Sequence, residues 1–264
     1  MKIKISRKHL GIPYALFLIL FVVAPVIVIL YYAFTNGQGY FSAANLVGFF
    51  TSGNTIGTLL YSIVIALITT TVCLLIAYPV AYILSRMPVG RRKAMLILFI
   101  IPMWINFTLR ITAMKEVLSA LEENLAYYPF LNTILGMTYD FLPFMILPIY
   151  TTLVKIDKDY SEAACDLGAD GIKTFIKITL PLSLPGIISG VMMVFLPAMT
   201  NYVILDMLYN STYIMGSLIG SYFSAYNWHK GSMISIILLL IILVATFFTN
   251  KIADDDIADR GAVL

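Results

Sequence analysis

IGTLLYSIVIALITTTVCLLIAYPVAYIL, residues 56–84, carries no charged side chain over 29 consecutive positions. A bilayer core about 30 Å thick is crossed by roughly 20 apolar residues in a helix. This run is long enough to cross with tilt, and Pro79 lies near its end. Five other runs of similar character lie around it, at about 12–34, 94–114, 131–154, 187–208 and 232–248. The expected fold is all-α: a polytopic membrane bundle of six transmembrane helices forming one domain over residues 1–264. Lys2, Lys4, Arg7 and Lys8 precede the first run as in a signal peptide. That run is too long for the apolar region of a signal peptide and lacks a small-residue cleavage site, so it is expected to be retained.

Composition agrees. The chain is 60% hydrophobic and 12% charged, about half the charge of an ordinary soluble domain. A net charge of +3 gives no case for nucleic acid. Two cysteines and two well-separated histidines suggest neither a disulfide framework nor a metal site. CxxC, HExxH, GxSxG and Gly-rich phosphate-loop patterns are missing, so the chain shows no sign of its own catalysis or nucleotide binding.

The basic residues set the expected orientation. With the N-terminus inside and the spans alternating, the cytoplasmic segments hold 14 of the 17 lysines and arginines. Arg86, Arg91, Arg92 and Lys93 fall in one such segment; Lys155, Lys158, Lys173 and Lys177 fall in another. Both termini and the loop 155–186 are then cytoplasmic. The outer loops carry Tyr127, Tyr128, Tyr213, Tyr222, Tyr226 and Trp228, expected mainly as an interfacial aromatic belt.

The loop 155–186 is the polar exception between apolar runs. Asp159 with Glu162 three residues on reads as a capping box, and acidic groups suit a helix N-terminus. Ala163, Ala164 and Leu167 favour continuation, and Gly168 suits a left-handed C-terminal turn. A second amphipathic piece, 172–179, is expected to stop at Pro181, with Pro185 and Gly186 opening the next span. Small Ala163 and Ala164 permit close approach by another protein, and Glu162 is available to a basic partner.

Glu162, Ala163, Ala164, Gly168, Ile178, Leu180 and Pro181 fit E-A-A-x-x-x-G-x(9)-I-x-L-P. This resembles the signature loop of inner-membrane permease subunits of binding-protein-dependent ABC importers. The resemblance implies a type I importer permease fold and a docking role for those seven residues against a separate ATP-hydrolysing subunit. ATP and magnesium would then sit on that partner, with no cofactor on this chain. Expected partners are a homologous second permease, two ATP-binding subunits, an extracytoplasmic substrate-binding protein and membrane lipid, in a bacterial inner membrane.

Further stretches, including Ile101-Pro102-Met103-Trp104, Leu142-Pro143-Phe144-Met145 and Leu180-Pro181-Leu182-Ser183-Leu184-Pro185-Gly186-Ile187, resemble the spermidine/putrescine branch of that family. A polyamine path needs carboxylates and aromatic faces. An ionisable group inside a span costs about 2.5–3.5 kcal/mol on insertion scales, so it usually faces a cavity or a partner. Asp206, Tyr202, Asn201, Trp104 and Asp140 are the candidate path residues, with Tyr139 and Thr200 beside them. Plainer readings stand next to these. Asp206 sits at a water interface, Asp140 bridges to Arg110, and Trp104 and Tyr202 are packing residues. In the resembling family the Asp206 position is also acidic, whereas the Asp140 position is apolar. Rival functions are an importer of the same class for an oxyanion, iron or an opine, a stand-alone ion-coupled transporter or channel, and a membrane enzyme.

Overall fold

The computed structural model describes residues 7–122, 124–208 and 210–261. Among the described residues the regular structure is helical, apart from an isolated bridge between Thr35 and Phe41. The helices are α1 (Arg7–Leu18), α2 (Ala24–Ala33), α3 (Ala44–Thr51), α4 (Gly53–Arg86), α5 (Val89–Trp104), α6 (Phe107–Leu121), α7 (Pro129–Leu153), α8 (Asp159–Asp166), α9 (Gly171–Thr174), α10 (Leu180–Thr200), α11 (Tyr202–Met207), α12 (Met215–Ser224) and α13 (Trp228–Gly261). Five helical runs among them are long and apolar enough to cross a membrane. A sixth crossing results if α5 and α6 count as one bent span.

Two compact units are formed. One holds the chain up to Thr58 with Ser217–Ile242; the other holds Leu59–Gly216 with the chain from Leu243 on. In the first unit Ala33, Met233 and Ile236 form a small core, with Ile29, Phe34, Leu46 and Ile237 packed on it. Polar ties fix the chain reversal beside it. Asn45 Nδ2 donates to the carbonyls of Ala33 and Thr35 (3.1 Å each), and His229 Nδ1–H donates to the Tyr32 carbonyl at 3.0 Å.

The second unit is organised around α7, which buries Met137, Phe141, Met145, Ile146 and Ile149. It approaches α10 closely because α10 offers two glycines one turn apart. A Cβ on Gly186 would lie 2.6 Å from Thr152 Oγ1 and 2.8 Å from the Pro148 carbonyl. One on Gly190 would lie 2.7 Å from Met145 Sδ. This is the small-xxx-small solution to helix packing in lipid, where close van der Waals contact replaces a hydrophobic driving force.

Three boundaries differ from the sequence expectation. The run 94–114 is broken at Ile105–Asn106, where α5 and α6 meet at 99°. Asn106 causes the restart: its side chain caps α6 by accepting from Thr108 N–H at 2.9 Å. The run 187–208 ends early, because Asn201 leaves helical geometry (φ −79°, ψ 83°) and separates α10 from α11. Pro181 does not stop the piece 172–179. The helix continues from Gly171 to Thr200 through a widened π-turn, Phe175–Thr179. Such a turn relieves the clash between a proline ring and the carbonyl four residues earlier.

Candidate functional site

The loop between α7 and α10 forms a knuckle of two short helices, α8 and α9. α8 starts at Asp159, but Asp159 is not its cap. Asp157, two residues earlier, accepts from the Asp159 N–H at 3.3 Å and takes the turn position, so the expected capping box is absent. Glu162 remains exposed in the first turn, where a carboxylate is favoured by the helix dipole. The far end of α8 closes as the sequence suggests. Gly168 has φ +82°, its N–H donates to the Cys165 carbonyl, and Ala169 N–H donates to the Ala164 carbonyl, both at 2.9 Å. These two bonds are a Schellman cap, in which glycine takes the left-handed position without a Cβ penalty. Asp170 then caps α9 by accepting from Lys173 N–H at 2.7 Å.

The knuckle therefore has an inner and an outer side. Ala164, Thr174 and Thr179 point in and are buried. Glu162, Ala163 and Gly168 face out; Ile178, Leu180 and Pro181 are half-buried along the way into α10. The outer side also carries apolar residues: Leu167 is 90% exposed and Ile172 is 73% exposed, and Tyr160 and Ile176 are exposed as well. Leu167 was not among the expected site residues. Its signal was readable, since it is apolar and immediately precedes a helix-ending glycine on a helix whose inward position belongs to Ala164.

Behind the knuckle, Phe175 lies edge-on to Tyr78 and Tyr82 of α4, with ring centroids 5.7 and 5.4 Å away. Ser183 Oγ donates to the Leu180 carbonyl at 2.8 Å, which leaves it to accept from the Tyr78 hydroxyl at 2.9 Å. The base of the knuckle is thus tied to α4. Nothing local in the sequence pairs 78 and 82 with 175, so this tie was not anticipated.

The expected path residues do not converge as a group. Asn201, Tyr202 and Asp206 share the α10–α11 junction and α11; Asp206 is exposed and Tyr202 is 40% exposed. The Thr200 carbonyl at this junction packs directly on Gly216, leaving no space for a side chain there. Trp104 stands apart at the end of α5, 81% exposed. Asp140 is 3% exposed within α7 and forms an ion pair with Arg110 at 2.6 Å. The bridge reading describes it better than the path reading, because a carboxylate already neutralised by a guanidinium has little charge left for an ammonium group. Just past the C-terminal end of α11, Asn210 Nδ2 donates to Thr133 Oγ1 (2.9 Å) and Tyr61 Oη (3.2 Å).

Comparison with known proteins places this arrangement. Residues 39–254 match the family described as "Binding-protein-dependent transport system inner membrane component". The spermidine/putrescine transport system permease protein PotB of Escherichia coli is 37% identical over 199 residues, covering 69% of this chain and 72% of that protein. PotB of Haemophilus influenzae is 36% identical over 204 residues, covering 70% and 71%. A PotB homologue of Mycoplasma genitalium is 31% identical over 200 residues, covering 69% of each. Among solved structures, a bacterial alginate ABC transporter in complex with its pentasaccharide-bound periplasmic protein contains a chain that superposes with TM-score 0.74. It covers 93% of both chains at 16% identity, which is a likeness of fold. The all-α importer-permease architecture expected from the sequence is the one present, in a multi-pass membrane protein that transports rather than catalyses. The chain belongs to the inner-membrane components of binding-protein-dependent transport systems.

Proposed function

We propose that the chain is the permease subunit of an ATP-driven importer for polyamines, spermidine or putrescine. It pairs with a second, homologous permease above two ATP-binding subunits, and an extracytoplasmic binding protein delivers the substrate. Both termini and the knuckle lie in the cytoplasm, on the side that gathers most of the lysines and arginines. The polyamine assignment is supported by the names of the relatives at 31–37% identity.

One observation carries the coupling role: the E-A-A sequence lies on a doubly capped knuckle with Glu162 and Ala163 exposed beside Leu167 and Ile172. Burial of a leucine or isoleucine side chain contributes about 1.5–3 kcal/mol. Those two residues in a cleft of the ATPase, with Glu162 on a basic group there, would hold the knuckle as the ATPase closes. Alternating access follows. ATP binding draws the ATPase pair together, the knuckle moves as one piece, α10 and its neighbours rock outward, and hydrolysis resets them. ATP and magnesium belong to the partner.

On the path side, Asp206 supplies the carboxylate for an ammonium group, with Tyr202 as a cation–π face and Asn201 as a polar contact; a cation–π contact contributes about 0.5–2 kcal/mol. Uptake of labelled spermidine and putrescine into cells tests both parts. Glu162→Lys should leave the chain in the membrane and reduce uptake at least tenfold. Asp206→Asn should raise the concentration needed for half-maximal uptake. Normal uptake by the Glu162 variant would remove the coupling role; polyamine uptake unaffected by deletion of the chain would remove the substrate.

A further inference from the structure

A cavity of about 350 Å³ opens where three membrane-crossing helices end, between the C-terminus of α4, the end of α7 and the π-turn leading into α10. Its wall carries Arg86, Arg92, Lys155 and Lys158 against a single acid, Asp157. That carboxylate is already engaged by the Asp159 N–H. None of the four cations forms an ion pair among the described residues. Arg92 is half-buried, and its Nε is enclosed without a hydrogen-bond partner. The Arg86 guanidinium is held 5.2 Å above the Tyr82 ring. Leu153 and Ile156 give the cavity an apolar wall on the side of the spans.

Four cations facing one engaged carboxylate repel one another, and an unbonded guanidinium nitrogen is costly once water is excluded. A multivalent oxyanion answers both, since arginine forks onto phosphate oxygens and lysines add point charge. The cavity also lies at the depth where spans give way to the basic loops, which is the depth of lipid headgroups. We propose that this cavity is a phosphate-group site occupied by the headgroup of an anionic phospholipid, anchoring the base of the knuckle to the membrane surface. The proposal rests on the membrane topology and is independent of the polyamine reading.

The test uses the full chain in nanodiscs of phosphatidylcholine, with and without added phosphatidylglycerol. Native mass spectrometry counts retained lipid, and the unfolding temperature is followed in parallel. A cation near a charged membrane surface contributes about 1 kcal/mol, so each one removed should weaken retention about fivefold. R92Q/K155Q should therefore retain phosphatidylglycerol about 25-fold more weakly. K155Q/K158Q removes two exposed side chains and should do the same without threatening the fold. R91Q/K93Q, also basic but outside the cavity wall, should stay within about twofold of the parent. Inorganic phosphate added to phosphatidylcholine discs separates the sources. If it stabilises the parent but not R92Q/K155Q while phosphatidylglycerol is not retained, the phosphate site stands with a soluble anion as its ligand. Equal loss in the cavity and control pairs would reduce the effect to diffuse surface charge and overturn the proposal, as would a parent that neither retains phosphatidylglycerol nor responds to phosphate.

Discussion

Two segments of this chain have the same backbone defect and opposite surroundings. Ile19–Val23 and Phe175–Thr179 are both five-residue π-turns, each followed two residues later by a proline, Pro25 and Pro181. In both, the residue after the turn donates five residues back, Ala24 to Ile19 and Leu180 to Phe175. The shared cause is the proline, which gives no N–H to the ordinary bond and crowds the carbonyl four residues earlier. The difference lies outside the backbone. All five residues of the first turn are exposed. The second is preceded by buried Thr174 and ends on buried Thr179, with Phe175 set against Tyr78 and Tyr82. Proline accounts for the widened turn in both places, and what packs around it decides whether the turn stands alone or is tied to another helix, as Phe175 is to α4.

The sharpest way to break this contrast is to remove the aromatic ring from each turn. Phe175→Ala deletes two edge-to-face contacts, together roughly 1–3 kcal/mol beyond area burial. The knuckle should then move without carrying α4. Uptake should fall tenfold or more while ATP hydrolysis by the assembled transporter persists. Phe21→Ala, which among the described residues loses one ring contact, with Phe17 (4.9 Å), should leave uptake within about twofold. Equal effects would show that packing does not separate the two turns.

Next in size are the prolines themselves. Without Pro25 nothing holds the first turn open, and it should relax to regular helix with no effect on uptake. Without Pro181 the aromatic contacts should still hold Phe175. Full relaxation there would remove one residue from the turn and rotate the knuckle by about 100° about the helix axis. Pro181→Ala should therefore reduce uptake by about two- to fivefold, and spin-label distances between α8 and α4 should show a minority of rotated molecules. Uptake unchanged in Pro181→Ala and reduced in Pro25→Ala would reverse the assignment of roles.

The legible parts of this molecule were those written in local chemistry. Long apolar runs announced the helices long enough to cross a membrane, and Gly168 announced the left-handed end of α8 because only its backbone is involved. Asn106 was just as local, an N-cap two residues before Thr108, yet it was masked by the apolar run around it. Pro181 was legible as a constraint but not as an outcome, since a proline next to a span either stops a helix or widens a turn. The partners of Phe175 were illegible in principle, because aromatic residues across α4 offer many equivalent faces. The seven knuckle positions rest on a motif and the resemblance it carries, whereas the path residues rest on residue type alone. For Asp140 residue type left two readings side by side, path carboxylate and bridge to Arg110, and the ion pair decides between them.

Gly168→Ala separates the tip of the knuckle from its base. A Cβ there meets nothing within 4 Å, so the whole penalty is the left-handed backbone at φ +82°. That costs about 1–2 kcal/mol for a residue with a side chain. The unfolding temperature should drop by a few degrees and uptake by about threefold, less than for Phe175→Ala, because the base remains tied. A larger loss than that of Phe175→Ala would place the rigidity that matters in the cap.

The smallest expected effect is also the most discriminating. Tyr78→Phe keeps the ring against Phe175 and removes only the hydroxyl that donates to Ser183. A neutral buried hydrogen bond contributes about 1 kcal/mol, and Ser183 retains its bond to the Leu180 carbonyl, so no buried donor is orphaned. The unfolding temperature should fall by about 2–4 °C, with uptake within twofold of the parent. If uptake collapses instead, the polar tie between α4 and α10 transmits the motion and the aromatic edge contacts merely accompany it. In that case the first π-turn would differ from the second by lacking one hydroxyl–serine pair, and grafting a ring onto it could never make it couple.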